Sequence, residues 1–133
     1  MIQHRLELNA KLELHQPDLL ALNETQLNDS TPILDIPGYI AVSRRDRPVD
    51  KEKARSYGGI LVYRRVQSLL ISHIEDSTSA ERSWHLIHTD LGPILFCNWY
   101  RPLGAPSSQI DTFRQEFNRL SVGASGVLVR FHQ

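Results

Sequence analysis

The run Ser83-Trp84-His85-Leu86-Ile87-His88-Thr89-Asp90-Leu91-Gly92-Pro93-Ile94-Leu95-Phe96-Cys97-Asn98-Trp99-Tyr100 decides the fold class. It contains two β-type segments, Ser83 to Thr89 and Pro93 to Tyr100, joined through Asp90-Leu91-Gly92 as in a hairpin turn. Side chains alternate across a strand, so Trp84, Leu86 and His88 share one face and His85, Ile87 and Thr89 the other. His85 and His88 therefore point apart and cannot chelate one ion together. Cys97, inside the apolar run Ile94-Leu95-Phe96-Cys97, reads as a small buried hydrophobe rather than a nucleophile.

Working outward, Ser107 or Ser108 begins a helix, with Ser108 and Asp111 spaced like a capping box. Ile110, Phe113, Phe117 and Leu120 form one amphipathic stripe along it. Gly126 to Phe131 is strand-like. Upstream, the β-type runs are Val66 to His73, Ile60 to Tyr63 after Gly58-Gly59, and Tyr39 to Ser43. A charged loop, Arg44 to Ser56, separates the last two, and Asn28 to Pro37 has loop composition. Leu19-Leu20-Ala21-Leu22 suits a strand buried on both faces. Ile2 to His15 reads as a helix that Pro17 stops, because the residue before a proline disfavours the α region. Consecutive antiparallel-type strands flanked by helices indicate an α+β layered domain rather than a doubly wound parallel sheet.

The 133 residues suffice for one domain with a core and are too few for two. Hydrophobic residues at 41% argue against disorder. Fifteen basic and fifteen acidic side chains give no net charge, so nucleic-acid binding would rest on local charge. The one cysteine excludes an internal disulfide and fits a reducing compartment. No apolar stretch is long enough to span a bilayer, and the N-terminus lacks a signal-type core. A nuclear or cytoplasmic location and no membrane partner are expected.

Three segments together resemble one family. Gln16-Pro17-Asp18-Leu19-Leu20-Ala21-Leu22-Asn23-Glu24-Thr25 resembles the helix, "PD", buried strand and "(Q/N/T)-E-T" of the endonuclease/exonuclease/phosphatase superfamily. Gly58-Gly59-Ile60-Leu61-Val62-Tyr63 looks like its glycine-led apolar strand. Asn98-Trp99-Tyr100-Arg101-Pro102 is similar to the "N-x-Y-R-P" segment in endonucleases of non-LTR retrotransposons. In this order the motifs cover about residues 5 to 128.

The resemblance implies a partial four-layer α/β/β/α sandwich of mostly antiparallel sheets. It implies magnesium-dependent hydrolysis of DNA phosphodiesters. Glu24 matches the family's metal-binding glutamate, and magnesium favours such oxygen ligands. Tyr100 matches the tyrosine near the scissile phosphate, where a phenol can stabilise charge. Asn98 shares a strand face with Tyr100 and either orients a ligand or makes a structural hydrogen bond. Arg101 is a phosphate contact by analogy. Arg44, Arg45 and Arg47, with Lys51, Lys53 and Arg55, form a basic loop diluted by Asp46, Asp50 and Glu52. That loop is a phosphate-contacting segment or a solvated one.

The chain also departs from the family. It starts inside the first helix, without the preceding asparagine-bearing strand, and Asn9 is no substitute. It holds no Gly-Asp-x-Asn and no later Asp-His pair. Those groups position and activate the attacking water, so impaired hydrolysis is expected. The alternatives are a non-catalytic fragment binding nucleic acid or protein, and a phosphatase of the same fold. Missing strands would leave sheet edges open, so self-association and marginal stability are expected.

Overall fold

The computed structural model describes residues 15–23, 25, 35–46, 59–122 and 128–132. Seven strands and one helix lie among them: β1 (Leu19–Asn23), β2 (Tyr39–Arg45), β3 (Ile60–Arg65), β4 (Leu70–Asp76), β5 (Glu81–Thr89), β6 (Gly92–Tyr100), α1 (Ser108–Val122) and β7 (Leu128–His132). One sheet has the order β1-β3-β2 and the other β4-β5-β6-β7. All pairings are antiparallel except β6 with β7, which is parallel. That parallel pair follows a crossover through α1, as parallel neighbours require. The α+β class is therefore the observed one.

Three apolar clusters stack through the layers. Val62, Ile71, Ile87 and Phe96, with Leu19, Ala21, Val42, Leu69 and Ile94, fill the space between the sheets. Trp84, Leu95, Cys97 and Trp99 lie on the outer side of the second sheet. There they meet Ile110, Phe113, Phe117 and Leu120, the four residues of the helical stripe. Phe113 stacks on Trp84 at 5.4 Å and on Trp99 at 5.3 Å. Ile36, Leu61 and Tyr63 form the third cluster, on the outer side of the first sheet. Full burial of one such side chain contributes roughly 1.5–3 kcal/mol, so the two outer clusters matter as much as the inner one.

The expected alternation in β5 holds: His85 is buried between the sheets and His88 is exposed on the other face. Cys97 is buried, and burial pushes its thiol up to about 12, which makes it a poor nucleophile.

Three local readings change. β2 runs on to Arg45, so Arg44 and Arg45 are strand residues rather than loop residues. Val66 to Leu69 is not strand: Val66-Gln67 forms a turn, and β4 begins at Leu70 and reaches Asp76. Ser108 is the first helical residue of α1, which places the cap one residue earlier than the Ser108–Asp111 spacing suggests. The helix expected over Ile2 to His15, the loop residues 28–34 and the charged residues 47–56 lie outside the described residues, His15 excepted.

Candidate functional site

The two ends of the inter-sheet space differ in chemistry. At one end lie the start of β1, the end of β3 and the start of β4. Here Asp18 holds Arg65 at 2.6 Å and Ser68 at 2.5 Å, and the Tyr39 hydroxyl donates to the Pro17 carbonyl at 2.7 Å. The Ser68 and Arg65 hydrogen bonds hold the Asp18 carboxyl below its ordinary range. Leu19, Leu69, Ile71 and Ile94 sit just inside this closure.

At the opposite end the same alternation delivers polar side chains. Strand β1 sends Leu19 and Ala21 into the inner core, so Asn23 follows them onto that face, with Thr25 next in phase. Thr25 extends the ladder through its N–H to the Gly59 carbonyl at 3.3 Å. Strand β5 sends His85 and Ile87 inward, so Ser83 and Glu81 share their face. Strand β6 sends Ile94 and Phe96 inward, so Asn98 and Tyr100 follow. In the pairing, Ser83 stands opposite Asn98 and Glu81 opposite Tyr100.

Polar contacts among the described residues cross between the sheets. Ser43 Oγ lies 2.7 Å from His85 Nε2. Arg45 donates from Nη1 to the Arg82 carbonyl at 3.2 Å. The Gly59 N–H donates to Glu81 Oε1 at 2.8 Å. Gly59 has a φ of 94°, and a Cβ there would collide with the Thr25 hydroxyl, so this approach of β3 to β1 requires glycine. Burial, with His73 close by, pulls the His85 imidazole down to about 4.

The polar end is short of hydrogen-bond partners. Asn98, Ser83 and Thr25 are 0%, 1% and 3% exposed. Asn98 Oδ1 and Nδ2, Ser83 Oγ, Thr25 Oγ1 and Asn23 Oδ1 are all buried without a partner. Buried polar atoms are satisfied in the great majority of cases, so five together at one end are a concentrated cost. Among the described residues, His85 Nδ1, Arg65 Nε, Trp99 Nε1 and Gln109 Oε1 are also buried without a partner.

The site residues expected from the sequence are distributed unevenly. Asn98, Tyr100 and Arg45 come together at this end. Tyr100 is half-buried. Arg101 is exposed just beyond it, with Nη2 3.5 Å from the Ala105 carbonyl. Arg44 faces the other side of the first sheet and pairs with Asp46 at 2.8 Å. Glu24 and Arg47 lie outside the described residues. Among the described residues no three His, Cys, Asp or Glu side chains form a group able to hold a metal ion.

Asn23, Thr25, Ser83 and Glu81 are the residues that sequence reasoning passed over. Asn23 and Thr25 flank Glu24 inside the first quoted motif, and their shared strand face is a signal the sequence does carry. Ser83 carries no such signal: its place follows only from the pairing with Asn98.

Behind the site lies a second polar cluster. The fully buried Arg82 donates from Nε to Glu116 Oε1 at 3.0 Å and from Nη2 to Oε2 at 3.0 Å. Trp84 Nε1 at 2.7 Å and Ser77 Oγ at 2.8 Å also donate to the Glu116 carboxylate. Arg82 further reaches Thr112 Oγ1 at 3.0 Å and sits 4.5 Å over the Trp99 ring. Burial pushes the Glu116 carboxyl up, but the hydrogen bonds from Arg82, Trp84 and Ser77 outweigh it and hold it below the ordinary range.

No helix among the described residues is long and apolar enough to cross a membrane. No protein-family model matches the chain, and no curated protein matches it.

Proposed function

We propose that this chain is a phosphodiester-binding domain of the retrotransposon-endonuclease type, using magnesium and acting on DNA at the polar end of the sandwich. The observation that supports it most is the set of unpartnered buried polar atoms of Asn23, Thr25, Ser83 and Asn98, gathered beside Tyr100 and Arg45. The quoted motifs converge on the same end: Asn23 and Thr25 from the first, Gly59 from the second, Asn98 and Tyr100 from the third.

The donor set fits magnesium. The ion is hard and accepts oxygen ligands, commonly one or two carboxylates with waters and substrate phosphate. Glu24 supplies the carboxylate by resemblance, and Asn23 Oδ1 and Thr25 Oγ1 are neutral oxygens in need of partners. When bound, magnesium neutralises charge on the phosphate. Arg45 and Arg101 contribute fixed positive charge, and the Tyr100 phenol can donate a hydrogen bond to a phosphate oxygen.

Hydrolysis also needs a positioned and activated water. In this reading the groups at the polar end bind the phosphodiester and support slow nicking. The second reading is a non-catalytic domain that binds nucleic acid or protein.

The test is supercoiled plasmid incubated with the protein and magnesium, beside Glu24→Ala and a chelator control. Magnesium-dependent DNA binding with slow nicking, both reduced in Glu24→Ala, is the expected result. Binding without any nicking points to the second reading. Nicking that survives both the mutation and the chelator rules out a metal site at Glu24.

A further inference from the structure

We infer that His85, held between Ser43 and His73, is a proton-operated latch: a proton taken up by this ring releases the edge strands β2 and β4 from one another while the rest of the fold stays closed. The latch works whether or not the polar end binds a phosphodiester.

His85 is fully buried between the sheets. Its Nε2 lies 2.7 Å from Ser43 Oγ on β2. Its ring centroid is 5.3 Å from that of His73 on β4 and 5.9 Å from that of Phe96 on β6. Strands β2 and β4 are each at the edge of a sheet. Each also breaks register beside the latch, β2 between Ala41 and Ser43 and β4 between His73 and Glu75. A bulge disrupts the ladder locally, and an edge strand is held from one side only. This seam is therefore where the sandwich opens most easily, short of unfolding.

A proton on the closed ring is poorly served. His85 Nδ1 is buried without a hydrogen-bond partner. Among the described residues, β4 brings His73, bonded to Asp76 at 2.8 Å, to this face. Strand β2 contributes Arg45, and β3 contributes Arg64, opposite Leu19 of the inner core. Glu81 and Tyr100 lie farther along the inner faces of β5 and β6. On β7, Arg130 and His132 stand at the registers of Phe96 and Asn98. Of these groups His73 bears on the ring most directly, and its charge opposes the proton. Burial first, and His73 second, pull the His85 imidazole down to about 4, against a weaker pull from the Phe96 backbone. In an open seam the ring returns to its ordinary range, near 6.5. The open form thus binds the proton more tightly. Opening grows as pH falls from about 6.5 to about 4 and then levels off, with a ceiling of about 300-fold, the ratio of the two proton affinities. His73 is exposed, so the proton has a way in.

Two thiols on opposite faces of the second sheet test this. Ile71 is 5% exposed on the inner face of β4, so Ile71→Cys places a thiol beside the seam. The native Cys97, 1% exposed beneath α1, reports global unfolding. Labelling by 4,4′-dithiodipyridine is followed from neutral to acid pH, each rate taken relative to a free cysteine peptide. Hydrogen exchange of the unsubstituted protein, compared between β2, β4 and α1, gives the same reading without the added thiol. The introduced thiol is expected to label at least about tenfold faster than Cys97 at every pH, because local opening is easier than unfolding. Its rate should climb with acid toward the ceiling. His85→Gln should abolish the climb, and His73→Gln should shrink it, because the closed ring then meets less opposition to its proton. Equal labelling of both thiols, or β2, β4 and α1 exchanging together, makes the opening global and overturns the latch. A climb that persists in His85→Gln overturns it as well.

Discussion

Arg82 and Ser83 are consecutive residues on β5, and their surroundings could hardly differ more. Arg82 points toward α1, where its guanidinium meets Glu116, Thr112 and Ser77 and stacks over Trp99. Ser83 points the other way, between the sheets, where it and Asn98 have no partners. Both residues are buried. One cluster spends its polarity on the fold, and the other withholds it. A buried charge left unpaired would be intolerable, so Arg82 is saturated. A buried hydroxyl or amide costs only a few kcal/mol unpaired, so the fold can carry one for another purpose.

The comparison breaks most readily at Glu116. Glu116→Ala strands Arg82 without a counter-charge and should lose about 3–5 kcal/mol in urea unfolding. A loss below about 1 kcal/mol would mean that the helix-side cluster is not structural, and the contrast would collapse.

The second prediction concerns His85, which joins the two sheets through Ser43. Its imidazole is pulled down to about 4 in the fold, against about 6.5 in the unfolded chain. Between those values the unfolded chain binds the extra proton. Stability should therefore be complete above about pH 6.5 and fall as pH drops toward 4, by roughly 3 kcal/mol in all. His85→Gln should flatten that window in unfolding measured against pH. Glu116 adds a separate acid loss: its lowered carboxyl holds stability that is shed only as pH falls through its folded value. An unchanged window in His85→Gln would show that the contact between the sheets does not carry it.

A third test addresses Gly59→Ala, which must accept a φ of 94° and push on the Thr25 hydroxyl. A cost of about 1–3 kcal/mol is expected in thermal melts. Duplex binding should weaken too, because Thr25 shifts at the polar end. The smallest effect is expected on the surface. Arg119 pairs with Glu75 in the exposed bridge between α1 and β4, and Arg119→Ala should change stability by less than about 1 kcal/mol.

How far the sequence displayed these regions depended on the range of the interaction. The hairpin of β5 and β6 and the stripe of α1 were legible because period-two and helical patterns are local. The turn at Val66-Gln67 was hidden, because Gln67 adopts a φ of 63° that glycine or asparagine would have announced. The continuation of β2 through Arg44 and Arg45 was masked by their charge, which suggests a loop although long side chains suit strand edges well. Asn98 and Tyr100 were legible through a motif. Ser83 and the Arg82–Glu116 pair were not, since their meaning lies in partners distant along the chain.

The irregularity in β2 has a consequence for slips of the strand register. Between Ala41 and Ser43 the register shifts, so that Arg45 stands opposite Ile60 and faces the polar end while Arg44 faces away. Straightening the bulge with no residue lost would shift the strand by a position and exchange their faces, whereas deletion of the extra residue would keep Arg45 opposite Ile60. Because the neighbours are both arginines, the polar end would still receive a guanidinium. The pair acts as a spare in the reading of the strand, so a slip of one residue that would ordinarily erase a charge from the site would leave it in place.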